Sequence, residues 1–184
     1  NVFLTVTNSK GCTDTITRQI LVIDKPVITM AFKDTLICVP DPLTLQASGT
    51  GTFSWTPTTN MVDAGTGTPT VTPTTTTTYT ASLNQEGCIN TDTVRVRVVT
   101  FVTLNRMPDT LICTTDPVQL RLNSNGLRYT WTPANGVNDP TIPNPIGITG
   151  QSEVYSVHVT IGSCFADEVI NVTAAPYPVV NAGP

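Results

Sequence analysis

The side chains with the most chemistry in this sequence are five cysteines (Cys12, Cys38, Cys88, Cys113 and Cys164) and one histidine, His158. The cysteines are never two residues apart, and a single histidine cannot complete a tetrahedral zinc site. Disulfide formation is therefore the chemistry they point to, and it places the chain in an oxidising compartment. A catalytic triad would have to use His158. It sits in the Tyr155–Val159 run on the face opposite the aromatic and apolar residues, where a solvent-facing histidine is the simpler reading. Trp55 and Trp131 could stack on a sugar ring, but they hold equivalent places in the repeating pattern described below, where burial in a core is the simpler reading. No arrangement of residues suggests catalysis, and the chain reads as a non-enzyme.

Composition narrows the elements that must position these residues. Charged residues make up 12%, while hydrophobic residues reach 39%, enough for compact cores. Thr supplies roughly one residue in five, against an ordinary charged share of about a quarter. Thr, Val and Ile favour pleated strands, and 15 Pro with 12 Gly punctuate them. No stretch shows a 3.6-residue period, so helix should be nearly absent. The net charge of -4 and scattered Lys and Arg leave nothing to neutralise a run of phosphates, which excludes nucleic acid as a partner. No apolar run approaches the roughly 20 residues of a membrane helix.

Internal repetition organises the chain. Asp34-Thr35-Leu36-Ile37-Cys38 recurs unchanged as Asp109-Thr110-Leu111-Ile112-Cys113, and Trp55-Thr56-Pro57 as Trp131-Thr132-Pro133. Tyr79 maps onto Tyr155, Cys88 onto Cys164, and Gly11-Cys12 onto Gly87-Cys88. The division expected is residues 1–25 as the final strands of one repeat, 26–100 and 101–177 as whole repeats, and 178–184 as the start of another. Within each repeat, period-2 alternation recurs over short runs: Leu43, Leu45 and Ala47; Phe53 and Trp55; Tyr79, Ala81 and Leu83; Val94, Val96 and Val98 with Arg95 and Arg97 facing out. This predicts an all-β chain of tandem immunoglobulin-like sandwiches, each about 76 residues long. Thr100-Phe101-Val102 and Lys25-Pro26 join repeats with no flexible linker, which predicts a semi-rigid rod.

The simplest pairing is within repeats, Cys38 with Cys88 and Cys113 with Cys164, with Cys12 bonded outside these residues. Each such bridge closes a loop of about 50 residues and stabilises a repeat by roughly 4 kcal/mol. The alternative is a bridge between neighbours such as Cys38–Cys164. In an ordinary immunoglobulin topology Cys38 and Cys88 tend towards opposite ends of the sandwich, whereas a disulfide needs Cα atoms within about 7 Å. Asp41 and Asp116 are equivalent, as roughly are Asp63 and Asp139. Such acids could bind Ca²⁺ at repeat junctions, but only two or three carboxylates converge there, against the six to eight oxygens the ion takes. Turn formation before proline, at Asp41-Pro42 and Asp139-Pro140, is the competing role.

The combination of Asp-Thr-Leu-Ile-Cys, Leu-Thr-Leu, an aromatic-x-Trp-Thr-Pro strand, Thr-Tyr-Thr and Gly-Cys resembles the PKD-like and Ig-like repeats of large secreted Bacteroidota surface proteins. Those include gliding-motility adhesins and other type IX secretion substrates, and Asn181-Ala182-Gly183-Pro184 is similar to the opening of such a repeat. The resemblance implies an extracellular, cell-surface location and a structural or adhesive filament serving gliding, attachment or cell capture. Its partners would be other copies of the chain, or polysaccharide and other cells through a distal tip. The alternative is a non-catalytic spacer or carbohydrate-binding module of a secreted hydrolase. The resemblance also implies O-glycosylation at Asp-Thr-aliphatic triplets, on Thr15, Thr35, Thr93 and Thr110.

Overall fold

The computed structural model describes every residue except Leu21, Ile23, Thr149, Asn181, Ala182 and Pro184. The repeat opening read at 181–184 thus lies outside the described residues, Gly183 apart.

Alternating sequence becomes strand throughout. β1 (Val2–Thr7) and β2 (Thr13–Arg18) form an antiparallel hairpin, exposed at every position. There follow β3 (Thr29–Met30), β4 (Asp34–Cys38), β5 (Leu43–Thr44), β6 (Ala47–Ser48), β7 (Thr52–Thr56), β8 (Met61–Val62), β9 (Thr70–Val71), β10 (Thr77–Gln85) and β11 (Cys88–Val99). The second repeat contains β12 (Leu104–Arg106), β13 (Thr110–Cys113), β14 (Val118–Gln119), β15 (Leu122–Ser124), β16 (Arg128–Thr132), β17 (Ile146–Gly147), β18 (Glu153–Ile161) and β19 (Cys164–Ala175). A 3-10 turn over Ala134–Gly136 is the one helical element among the described residues; it aligns with the turn at 58–60, and where the first repeat has β8 the second keeps the isolated Val137–Gly147 bridge.

The two repeats share a strand order. One sheet runs β4-β11-β10-β7 in the first and β13-β19-β18-β16 in the second. In both, the first strand lies parallel to the last, Cys38 beside Val99 and Cys113 beside Ala175, while the other pairs are antiparallel. The opposing layer is built from shorter pairings, β3 with β6 and β5 with β9 and β8, and later β12 with β15 and β14 with β17. Two facing sheets with this order form an immunoglobulin-like sandwich. The strands are more uneven than six residues each. The hairpins β10–β11 and β18–β19 have arms of 9 and 12 residues and carry the structure from end to end.

Each sandwich closes on its own core. Leu45, Trp55, Val71, Tyr79, Ala81, Val94 and Val96 pack together in the first, and Leu120, Trp131, Tyr155, Val157, Val159, Ile170 and Val172 in the second. The tryptophans are 3% and 1% exposed, so they are core residues and not a sugar platform. Their indole N–H groups donate to the Thr66 and Ile142 carbonyls at 2.9 and 3.0 Å, which removes the cost of burying a polar group. Arg95 and Arg97 face outward as expected.

The Asp-Thr steps tie strands together. Arg97 bonds the Asp34 carboxylate across β11 and β4. Asn171 donates to Asp109 across β19 and β13 through its backbone N–H and its side-chain amide at 3.1 and 2.8 Å.

Candidate functional site: a braced junction between repeats

The cysteines do not pair within repeats. Cys38 is bonded to Cys164, 126 residues away, with Cα atoms 5.6 Å apart. The parallel pairing of β4 with β11 explains why Cys38–Cys88 does not form. Cys38 lies beside Val99, and Cys88 begins the same strand eleven residues earlier, some 35 Å away at about 3.3 Å per residue. That exceeds the ~7 Å limit for a bridge several-fold. The same register sets Cys113 beside Ala175, at the far end of β19 from Cys164, so the second expected bridge fails for the same reason. Cys12 is exposed in the β1–β2 turn, and Cys88 and Cys113 are half-buried.

The end of β4 instead meets the tip of the β18–β19 hairpin. The chain turns sharply after Cys38, where the Asp41 N–H donates to the Cys38 carbonyl at 2.8 Å. This turn is anchored to its own sandwich by the Val39 N–H donating to the Val99 carbonyl at 3.0 Å. It projects the Asp41 carboxylate onto the hairpin tip, where Oδ2 accepts the Ser163 backbone N–H at 2.8 Å. The two bonds from Ser163, side chain and backbone, hold the Asp41 carboxyl below its ordinary value of 3.8. The Ser163 hydroxyl also lies 3.4 Å from the Cys38 sulfur. Gly162 permits the approach, because it adopts φ +54 and a Cβ there would fall 1.9 Å from Asp41 Oδ2.

Apolar contact completes the brace. Cys38 and Cys164 are only 2% and 8% exposed, and Cys38 belongs to the second sandwich's core cluster together with Val102. Leu36 and Val99 pack against that cluster from the first repeat. Three kinds of interaction therefore converge: a covalent bond, a charge-assisted hydrogen bond and a shared apolar seam. The arrangement fixes one sandwich to the next.

The other residues singled out from sequence are dispersed. His158 is exposed on β18, with Nδ1 2.7 Å from the Asp167 carboxylate and its ring near Phe165. Asp139 is occupied by the amide and hydroxyl of Thr141, and Asp63 sits in a left-handed turn at φ 60. Among the described residues no three His, Cys, Asp or Glu side chains converge on a metal position, and Asp41 acts as turn former and clamp. Thr15 and Thr93 are exposed, and the backbone N–H of each donates to the preceding Asp carboxylate; Thr35 and Thr110 are half-buried. The role of Ser163 was not foreseen. Its only signal in the sequence is adjacency to Cys164.

No family model matches the chain, and no curated protein matches it. Solved structures similar to it include the titin domains Z1Z2 in complex with telethonin, at 13% identity and TM-score 0.34 over 86% of this chain and 100% of that one. Another is Drosophila OTK extracellular domains 3–5, at 10% identity and TM-score 0.40 over 94% and 70%. A third is the N-terminal four Ig domains of Dscam1, at 12% identity and TM-score 0.42 over 90% and 52%. The immunoglobulin-like assignment stands on the strand order and the paired cores; no helix among the described residues is long and apolar enough to cross a membrane.

Proposed function

We propose that this chain is a structural or adhesive segment of an extracellular surface filament, built from tandem immunoglobulin-like repeats held in line by braced junctions. The observation that carries this reading is the Cys38–Cys164 bridge. A disulfide between successive repeats persists in an oxidising environment. It contributes nothing to chemistry within a repeat, but it fixes the angle between repeats. The division at 1–25, 26–100, 101–177 and 178–184 belongs to this reading. So does the exposed β1–β2 hairpin, whose Val2, Phe3, Leu4, Val6 and Ile16 are 51–66% exposed, as expected of strands belonging to a sandwich that continues upstream.

The resemblance to Bacteroidota surface repeats supports a large secreted adhesin of the gliding-motility or type IX secretion type. Attachment, gliding and cell capture are the uses such a filament serves. Partners would meet it through a distal tip, and other copies through the exposed edges of its sheets. Glycans on Thr15 and Thr93 would shield a surface poor in charge.

Electron microscopy of the full-length protein tests the proposal. Long fibres with a bead period of about 35–40 Å, the length of a 12-residue strand at ~3.3 Å per residue, are expected. Compact particles with a tail of two or three beads would overturn it in favour of a spacer attached to a catalytic or lectin domain.

A further inference from the structure

We infer that the brace is a periodic device, and that Cys113 and Asp116 form the receiving half of the next one, taking the cysteine-bearing hairpin tip of the repeat that follows in the same chain. This rests on the tandem-array reading above and adds a specific covalent pattern to it.

The receiving half is prepared in the same way twice. Asp-Thr-Leu-Ile-Cys is identical in β4 and β13 and lies parallel to the last strand in both. The Val39 N–H donates to the Val99 carbonyl at 3.0 Å, and the Thr114 N–H to the Ala175 carbonyl at 2.8 Å. The turn that presents the carboxylate closes through Asp41 N–H to Cys38 O at 2.8 Å and through Asp116 N–H to Cys113 O at 3.0 Å. Cys113 and Asp116 are thus held at the same end of their sandwich, by the same two backbone hydrogen bonds, as the pair seen engaged, although the first turn runs through a cis Val39-Pro40 peptide and the second through Thr115 at φ 76. The Tyr177 hydroxyl donates to Asp116 Oδ1, whereas Asp41 receives its neighbour on Oδ2, so one carboxylate can serve both.

The inserting half is also repeated. Ile161-Gly162-Ser163-Cys164 is the engaged tip, and Gln85-Glu86-Gly87-Cys88 closes the matching hairpin one repeat earlier. There the Gly87 N–H, counterpart of the Ser163 N–H, donates to the Asn84 side chain at 2.9 Å. Glu86, at φ 51, is the counterpart of Gly162 at φ 54, so this tip has the same left-handed step, with a Cβ that the facing carboxylate must move aside to admit. The pattern assigns Cys88 and Cys12 to the Cys-x-x-Asp turn one repeat before each. Each bond forms as two thiols lose two protons and two electrons to a disulfide-bearing oxidant, which leaves as its dithiol.

The test is disulfide mapping of the full-length chain, isolated without reductant, with thiols blocked by iodoacetamide before digestion and mass spectrometry. The expected result is a Cys113 peptide joined to the hairpin-tip cysteine of the following repeat, with the chain running at monomer mass on non-reducing gels. Carbamidomethylated Cys113, Cys113 joined to Cys88 or Cys12, or a bond to a second chain would each overturn the inference. A full-length sequence with no further repeat before or after these residues would overturn the array reading itself. A following repeat beside an alkylated Cys113 would overturn the periodic brace alone.

Discussion

Removing the Cys38–Cys164 bridge should destabilise the second repeat even though the missing bond lies outside its own fold. The magnitude follows from what the first repeat already holds together. Cys38 is fixed beside Val99, so when only the second repeat unfolds the bridge closes a loop from about Val99 to Cys164, roughly 65 residues. In the chain-entropy relation that loop is worth about 4 kcal/mol at 25 °C. If both repeats unfold together the loop is 126 residues, and the logarithm raises the figure only to ~5 kcal/mol. For a domain of this size each kcal/mol moves the midpoint by about 4–8 °C, so C38A/C164A should lower the second repeat's melting temperature by ~15–30 °C. Both cysteines are replaced so that no lone buried thiol confuses the reading. Calorimetry of the oxidised chain, the double variant and the reduced chain provides the comparison. The last two should agree. A shift below about 5 °C would refute the claim that this bridge limits the freedom of the unfolded second repeat.

Gly162→Ala forces a Cβ into the space of Asp41 Oδ2 and should cost about 1–2 kcal/mol. The penalty should shrink in an Asp41→Ala background, and a double-mutant cycle in urea with no coupling would contradict the clamp. Because the Asp41 carboxyl is held below its ordinary 3.8, its contribution is complete above that pH and is lost as pH falls through the lowered value. Denaturation midpoints of Asp41→Asn and the unaltered chain should accordingly differ at neutral pH and converge at the most acidic pH where both still fold. Trp131→Ala should cost about 3–5 kcal/mol, and near-ultraviolet circular dichroism should show the second sandwich, not the first, losing its packing. Glycopeptide mass spectrometry of the native protein should find hexose-containing modifications at Thr15 and Thr93 before the half-buried Thr35 and Thr110.

Alternation made most of each sandwich legible. Tyr79, Ala81 and Leu83 alternate as one inward face, and all three are buried; Trp55 and Trp131, equivalent to the core tryptophan of immunoglobulin-like domains, are buried as well. The cysteine pairing resisted the same treatment because it depends on strand direction, which side-chain periodicity does not encode. Antiparallel and parallel neighbours show the same alternation, yet only the parallel pairing of β4 with β11 puts Val99, and not Cys88, beside Cys38. The expected topology sets the two cysteines of a repeat towards opposite ends and so leaves Cys38–Cys164 open as the alternative to the simpler pairing within repeats, and that alternative is the bridge that forms. Asp41 was read as a turn former, which it is. Its second role was hidden because the Ser163 amide that it holds lies 122 residues away in a different repeat. Where the first repeat has β8 the second keeps only the isolated Val137–Gly147 bridge, a shortening that the repeat alignment averages out.

The brace also decides how the chain responds to being pulled. Tension applied at the two ends reaches Cys38, crosses the sulfur–sulfur bond to Cys164, and leaves by β19. The 126-residue stretch closed by the bond carries almost none of it. Unravelled, such a stretch would release about 400 Å of contour at ~3.4 Å per residue. With the bond intact that length is withheld, and the load falls on one covalent link and on β4 and β19, the strands that lead to it. A thread built this way is stiff and nearly inextensible while oxidised. A reductant would convert the same thread into one that yields, one sandwich at a time.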